Sequence, residues 1–409
     1  MLTLRIAIFA VAVVLLAIVI QTIRTGAAEP PQAQQTPQVA ALDHAEQVAP
    51  ILKQGAEFML TRQTDDGAWG RHPALTGLAI MAIHNVGVDD IAKRDESIAR
   101  AMDYILSFIQ DDGAIFPAER SRKESANYPN YTTAIALITM ALVNRPGDEE
   151  KMRATRRYLQ NSQFNDPDKV DFGGIGYGKT GRADLSNGSW AAEALYVTDY
   201  LDREPFSGDT SAAARIDKMW QDMTVFLTQC QNLPELNLQP YVSLQASDRG
   251  GFIYRPFESK AGDHSATDGA KSELISSGSM TYAGLKTMIY ARLDRNDVRV
   301  KGAIDYLRHN YTLKENPGMG QQGRYYYLHT MAKALDAYGV NVLTDADGGR
   351  HHWRNDIIAE LRSLQHDDGS WANTDGRFWE SVPELATPYA MICLKVSAGQ
   401  LKFARAPRG

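Results

Sequence analysis

Hydrophobic positions along this chain fall into two alternating kinds of run. One kind keeps a charged face opposite an apolar stripe; the other is apolar nearly all round and rich in Ala, Leu, Met and Thr. In the second kind Leu75, Leu78, Ala79 and Ala82, then Ala134, Leu137, Ile138 and Ala141, then Ala283, Leu285, Met288 and Ile289 keep a helical period with little polar face left. A helix apolar on every side belongs inside. The pattern predicts six pairs, amphipathic helix first and apolar helix second: 44–63 with 74–85, 95–110 with 131–143, 149–163 with 189–200, 213–231 with 279–291, 298–310 with 325–338, and 353–365 with 386–396. Six buried helices ringed by six amphipathic ones make an all-α fold, a closed (α/α)6 toroid of six helical hairpins. Each hairpin touches two neighbours, no terminal cap is needed, and strand is nearly absent.

Three amphipathic runs end alike: Gln63-Thr64-Asp65-Asp66-Gly67-Ala68-Trp69, Gln110-Asp111-Asp112-Gly113-Ala114-Ile115-Phe116, and Gln365-His366-Asp367-Asp368-Gly369-Ser370-Trp371. Each is a glutamine on the last helical turn, acidic residues, a glycine free to take positive φ, then an aromatic. Gln163 and Gln231 head weaker copies, and Tyr311 stands where the fifth glutamine would be. A helix–turn–helix unit that recurs reads as a repeat architecture. The signature resembles the repeat shared by squalene–hopene cyclases, oxidosqualene cyclases and the β-subunits of protein prenyltransferases, over residues 43–398. That resemblance implies the toroid, with the glutamine bonding near a helix end under the aromatic ring and tying one unit to the next. Gln63 with Trp69, and Gln365 with Trp371, are therefore read as structural.

With 409 residues and 44% hydrophobic content the chain can bury a large core, and ring closure is what makes one domain of so long a stretch. A formal charge of −6 with scattered lysines and arginines excludes a nucleic-acid partner. Arg5 precedes the apolar run 6–20, and Thr25-Gly26-Ala27-Ala28 offers small residues suited to signal peptidase. Residues 1–28 thus read as a cleaved signal peptide or a retained anchor, with membrane contact through residues 2–23 and the body periplasmic or secreted. Residues 29–42 read as a Pro/Gln-rich disordered linker and 399–409 as a tail. Cys230 and Cys393 fall in non-neighbouring units, which predicts two free, buried thiols.

In a toroid the loops leading into the inner helices open on one face, so binding groups are sought there and in the first turns that follow. Residues 127–133, 183–190, 276–282, 316–329 and 377–384 qualify. The cyclase resemblance implies an Asp-x-Asp-Asp cluster whose middle acid starts cyclization. Asp184 alone matches, Ser186 and Asn187 fill the other places, and Asp184 or Ser186 reads rather as a helix N-cap, so cyclization by this route is not expected. Asn316-Pro317-Gly318-Met319-Gly320-Gln321-Gln322-Gly323 looks like the Gly-Cys-Gly-Glu-Gln thioester sequence of complement and α-macroglobulin proteins. Met319 replaces the cysteine and Gln321 the glutamate, so no thioester forms. The three glycines are expected to leave room for a ligand, with one of Tyr325, Tyr326 and Tyr327 turned inward and His329 one turn on.

The prenyltransferase resemblance implies a zinc set of aspartate, cysteine and histidine that this chain does not match. Asp345-Ala346-Asp347-Gly348-Gly349 departs from a calcium loop and reads as a turn, so neither metal nor cofactor is expected. The candidates are Asp184, His329 and Glu384 as catalytic groups, and Tyr131, Trp190, Gln321, Gln322, Tyr325, Tyr326 and Trp379 as ligand-binding groups. The resemblance implies a hydrophobic small molecule such as an isoprenoid in a central cavity. Aromatics beside carboxylates also suit a glycan. A lyase-type or non-catalytic toroid binding extracellular polysaccharide or protein therefore stays open beside the first reading, as does the oligomeric state.

Overall fold

The computed structural model describes residues 37–118, 127–264 and 272–403; the signal or anchor expected over residues 1–28 lies outside them. The chain divides into two compact units, Met1–Ala41 and Leu42–Gly409. Of the first, only the beginning of a helix is described, and the architecture below is that of the second.

Among the described residues twelve α-helices alternate between the two kinds of run. The outer helices are α1 (Pro37–Thr61), α3 (Ile91–Leu106), α5 (Glu149–Gln160), α7 (Ala212–Cys230), α9 (Val298–His309) and α11 (Trp353–Leu364). The inner helices are α2 (Pro73–Ile83), α4 (Pro129–Val143), α6 (Leu185–Val197), α8 (Gly278–Tyr290), α10 (Arg324–Tyr338) and α12 (Pro383–Ser397). Several boundaries differ from expectation, α3 lying over Ile91–Leu106 rather than 95–110 and α12 starting at Pro383 rather than 386. Helix α1 already runs through residues 37–42, read as linker, and α6 begins ahead of residue 189 because the Asp184 side chain accepts from Asn187 N and caps it. Strand structure among the described residues is limited to isolated bridges and two short antiparallel hairpins, β1 (Asp263–His264) with β2 (Glu273–Leu274) and β3 (Leu343–Thr344) with β4 (Arg350–His351). The Asp345 stretch is the turn of the second hairpin, its carboxylate accepting from Asp347 N at 3.0 Å and paired with His351 Nε2 at 2.8 Å. Cys230 and Cys393 are both free and buried.

The inner helices pack in sequence, α2 on α4, α4 on α6, α6 on α8, α8 on α10 and α10 on α12, and α12 packs back on α2. Their buried residues form one continuous apolar core with the inward stripes of the outer helices.

Four of the six joints between neighbouring units are held by a side-chain amide. Gln63 Nε2 donates to Gly67 O in its own turn and to Ser97 O in the next outer helix, at 3.0 and 2.8 Å. Gln163 does the same to Gly173 O and Met219 O, at 2.8 and 2.9 Å, and Gln231 to Gly250 O and Arg299 O, at 2.9 and 2.8 Å. Gln365 joins the last unit to the first, donating to Gly369 O and Ile51 O at 3.0 Å each. The glutamines lie just past the helix ends, in the turns. The glycine lets the two backbones touch: a Cβ on Gly173 (φ +80°) would stand 1.8 Å from Asp222 O, and one on Gly369 (φ +86°) 2.4 Å from Gln54 O.

Two copies depart from the pattern. Gln110 keeps its amide in its own turn, on Phe108 O and Phe116 O at 2.7 and 3.4 Å. Tyr311 makes the fifth joint through its hydroxyl, which donates to Asp356 Oδ2 of α11 at 2.9 Å. Tryptophans complete the first and last units. Trp69 Nε1 donates to Met59 O at 2.7 Å and Trp371 Nε1 to Leu361 O at 2.8 Å, both rings fully buried. Their backbone N–H groups each donate to a threonine of the inner helix, Thr76 and Thr387, at 3.0 Å.

Gln365→Ala leaves the Ile51 and Gly369 carbonyls without this donor and is expected to destabilise by about 1–3 kcal/mol, and Trp371→Ala by about 3–5 kcal/mol, in urea melts. Gln110→Ala should cost clearly less than Gln365→Ala, since its amide joins no second unit. Equal losses would refute the clamp.

Candidate functional site

The first turns of the inner helices share one face of the ring, because residues that meet across the axis stand at matching heights on their helices. Three layers result. In the outermost, Ser186 Oγ and the Tyr326 hydroxyl lie 3.2 Å apart, and the hydroxyls of Tyr131 and Tyr389 3.3 Å apart. Tyr131, Ser186 and Tyr326 are half-buried. Below them the His329 ring lies between Trp190 and Tyr389, at centroid distances of 5.2 and 5.1 Å, and Tyr131 meets Trp190 edge-on at 6.1 Å. Deepest is a charged group. Lys286 Nζ donates to Glu193 Oε2 at 2.7 Å and Lys333 Nζ to Glu193 Oε1, with both ammonium groups over the Trp190 ring, at 5.5 and 5.2 Å. These contacts join α6 to α10 and α4 to α12, which are not neighbours in the ring, so the side chains span the axis.

Burial alone would raise the Glu193 carboxyl; the charges of Lys286 and Lys333 outweigh it and hold the group down at about 2. Burial pushes the Lys333 ammonium down, with Glu193 opposing. Burial, followed by the charges of Lys333 and Lys286, holds His329 well below the usual histidine range, so it is neutral. Burial pushes the Tyr131 hydroxyl up to about 12.

Around this face stand aromatic rings that the fold does not bury. Tyr128, Phe378 and Trp379 are 44%, 41% and 75% exposed, and their backbones are left-handed, with φ of 51°, 62° and 65°. For a residue with a Cβ that conformation costs about 1–2 kcal/mol, and an exposed ring returns little by burial. Tyr128 leans on Tyr177 at 5.2 Å, and a Cβ on Gly323, at the entry to α10, would stand 3.3 Å from the Phe378 ring. The loop carrying Phe378 and Trp379 is fastened by Glu380, fully buried, whose carboxylate accepts from Tyr325 N at 3.1 Å, Tyr326 N at 2.7 Å and Asn373 Nδ2 at 2.9 Å. A carboxylate is favourable at that helix N-terminus, although burial raises its pKa.

The candidates from sequence separate into two sets. Tyr131, Tyr326, Trp190 and His329 come together on the axis. Asp184 is buried beside them and caps α6 through Asn187 N and Asn187 Nδ2, at 2.8 and 2.7 Å. The others point elsewhere. Glu384 pairs with Arg62 at 2.7 Å, where α12 meets α1. Gln321 Nε2 donates to Lys314 O at 2.8 Å, and Gln322 Oε1 accepts from Arg377. The Tyr325 ring is buried, its hydroxyl 3.4 Å from Ala372 O. Trp379 is on the rim. The glycine-rich loop leaves less room than expected, since a Cβ on Gly318 would stand 2.5 Å from Ser276 O and Asn316 Oδ1 accepts from Ser279 N at 2.9 Å. Sequence reasoning passed over Glu193, Lys286, Lys333 and Tyr389, and placed Glu380 within a candidate loop without singling it out. The legible signal for Glu193 and Lys286 is a single charge inside an otherwise uncharged inner helix. Among the described residues no group of three His, Cys, Asp or Glu side chains is arranged to hold a metal ion, and no helix is long and apolar enough to cross a membrane.

No protein-family model matches the sequence, and no curated protein matches it. Solved structures similar to it include a variant of the type II terpene cyclase MstE from Scytonema with its product merosterolic acid A, at 14% identity and a TM-score of 0.49 over 88% of this chain and 99% of that one. A second MstE variant, with the substrate geranylgeranyl dihydroxybenzoate, is 12% identical with a TM-score of 0.45 over 88% and 100%. A protein from Actinoplanes is 13% identical with a TM-score of 0.44 over 86% and 99%.

Burial pushes the Asp184 carboxyl up to about 6, against its bonds to Asn187 and the charge of Arg255. Its unfolded value is about 3.9, so the folded chain holds the proton more tightly. The resulting stability is full below about pH 4 and is lost as pH rises through about 6. Asp184→Asn keeps a capping side chain and should flatten the fall in melting temperature between those pH values. An unchanged slope would show that Asp184 does not titrate there.

Proposed function

We propose that this chain binds an oligosaccharide across the face of the ring where the inner helices begin, and that it does not carry out acid-started polyene cyclization. The observation that carries the reading is the set of exposed rings at Tyr128, Phe378 and Trp379, held in left-handed backbone at the entries to inner helices. Sugar rings offer an apolar C–H face for such aromatics and hydroxyls for polar groups that are donor and acceptor at once, as Tyr131, Ser186 and Tyr326 are. The isoprenoid alternative needs a buried apolar chamber, and the axis at that depth carries the charges of Glu193, Lys286 and Lys333. Asp184, the one match to a cyclase acid, is engaged as a helix cap. The apolar run 6–20 supports action outside the cytoplasm.

Calorimetric titration of the purified chain with a panel of plant and bacterial oligosaccharides, and with squalene in detergent, tests this. We expect saturable binding of at least one glycan and none of squalene. Trp379→Ala should weaken glycan binding about tenfold and Tyr326→Phe about fivefold, with the melting temperature of Trp379→Ala unchanged because the ring is exposed. Squalene binding or turnover without glycan binding would overturn the proposal in favour of the isoprenoid reading.

A further inference from the structure

Below its layer of hydroxyls the ring axis is short of negative charge. Lys286 and Lys333 share the single carboxylate of Glu193, and all three are buried. Two cations against one anion in a dry interior is an unfavourable arrangement. Lys395, also buried in an inner helix, sits differently, donating to Met81 O and His84 O at 2.7 Å each.

One helical turn before Lys333 on the same face of α10, His329 is fully buried, and neither Nδ1 nor Nε2 has a hydrogen-bond partner. A neutral imidazole presents one donor and one acceptor, and leaving both unmet in the interior is costly. What closes the axis above His329 is loosely made. The Tyr131–Tyr389 and Ser186–Tyr326 hydroxyl pairs, at 3.3 and 3.2 Å, are longer than a well-formed O–H···O bond.

Resting on the glycan reading above, we propose that the ligand is an acidic oligosaccharide, and that a uronate carboxylate enters the axis between the Tyr131 and Tyr389 hydroxyls to accept a hydrogen bond from His329 and balance the charge of Lys333. The parted hydroxyls then bond to the sugar instead of each other. The unpartnered imidazole and the surplus ammonium stand on one face of one helix, so a single anionic group meets both needs.

The test compares an oligogalacturonate with the same oligomer methyl-esterified, titrated into the full chain by calorimetry at low salt. The acidic form should bind at least about tenfold more tightly, the scale of one charge-assisted hydrogen bond. In His329→Gln and in Lys333→Met, each checked for folding by its melting curve, the ratio should fall toward one. Equal affinity of the two oligomers for the native chain overturns the inference and leaves the glycan reading standing, whether or not the variants fold. A preference for the acid that persists in both folded variants also overturns it, because the charge would then be read elsewhere. Binding of neither these oligomers nor any glycan of the wider panel removes the glycan reading and this inference together.

Discussion

The ring depends on a primary amide that reaches two backbones at once. A glutamine side chain carries two N–H donors on one nitrogen, and here each is spent on a carbonyl, one in the turn that ends its own unit and one in the neighbouring outer helix. One carbonyl lies in a turn past the helix end, and the other belongs to the neighbouring outer helix and takes the amide on its second lone pair. The glycine beside it removes the Cβ that would hold the helices apart. Apolar burial supplies most of the stability of such a fold, but it is non-directional, and the amide sets the spacing and angle from one hairpin to the next.

That geometry is what gives the axis its chemistry. With the inner helices held parallel and in step, equivalent turns face one another at equal heights, and layers of like character form: hydroxyls at the mouth, rings below, charges deepest. The layering explains why Glu193 can remain ionised where burial alone would protonate it, and why His329, at the level of the rings, finds no hydrogen-bond partner. Glu380 carries the same order outward. By capping α10 it fixes the loop that displays Phe378 and Trp379, so the rim is tied to the helix that supplies Tyr326 and His329.

Much of the fold was legible in the sequence because its signals are local. A helical period with no polar face, and a glutamine, glycine and aromatic at constant spacing, are set within a few turns of chain. Gln110 shows the limit. Its surroundings read like those of Gln63, yet its amide folds back on its own turn, which depends on how the next helix is placed. The site was less legible. Lys333 meets Glu193 across 140 residues of chain, and no spacing along the sequence encodes that pairing. The acids of the last loop, Glu380 and Glu384, look alike in sequence, and it is the backbone turn at Phe378 and Trp379 that sends the first under α10 and leaves the second to Arg62. Gln321 and Gln322 stand out in sequence as polar residues beside glycines, but Gly318 serves a tight backbone approach to Ser276 and both amides turn to Lys314 and Arg377.

The seam where Gln365 reaches Ile51 is built like the joints at Gln63, Gln163 and Gln231. The ring therefore does not know where its chain begins. Polypeptide order assigns a first and a last hairpin, but the contacts treat them as any other pair of neighbours. The price of that symmetry is kinetic: until the sixth hairpin is made, the first has an unfilled side, and every partial ring carries two raw ends that fit each other or the ends of another copy. Completion of the fold is thus a competition between closing on itself and joining a neighbour, settled by how soon the last glutamine finds the first helix.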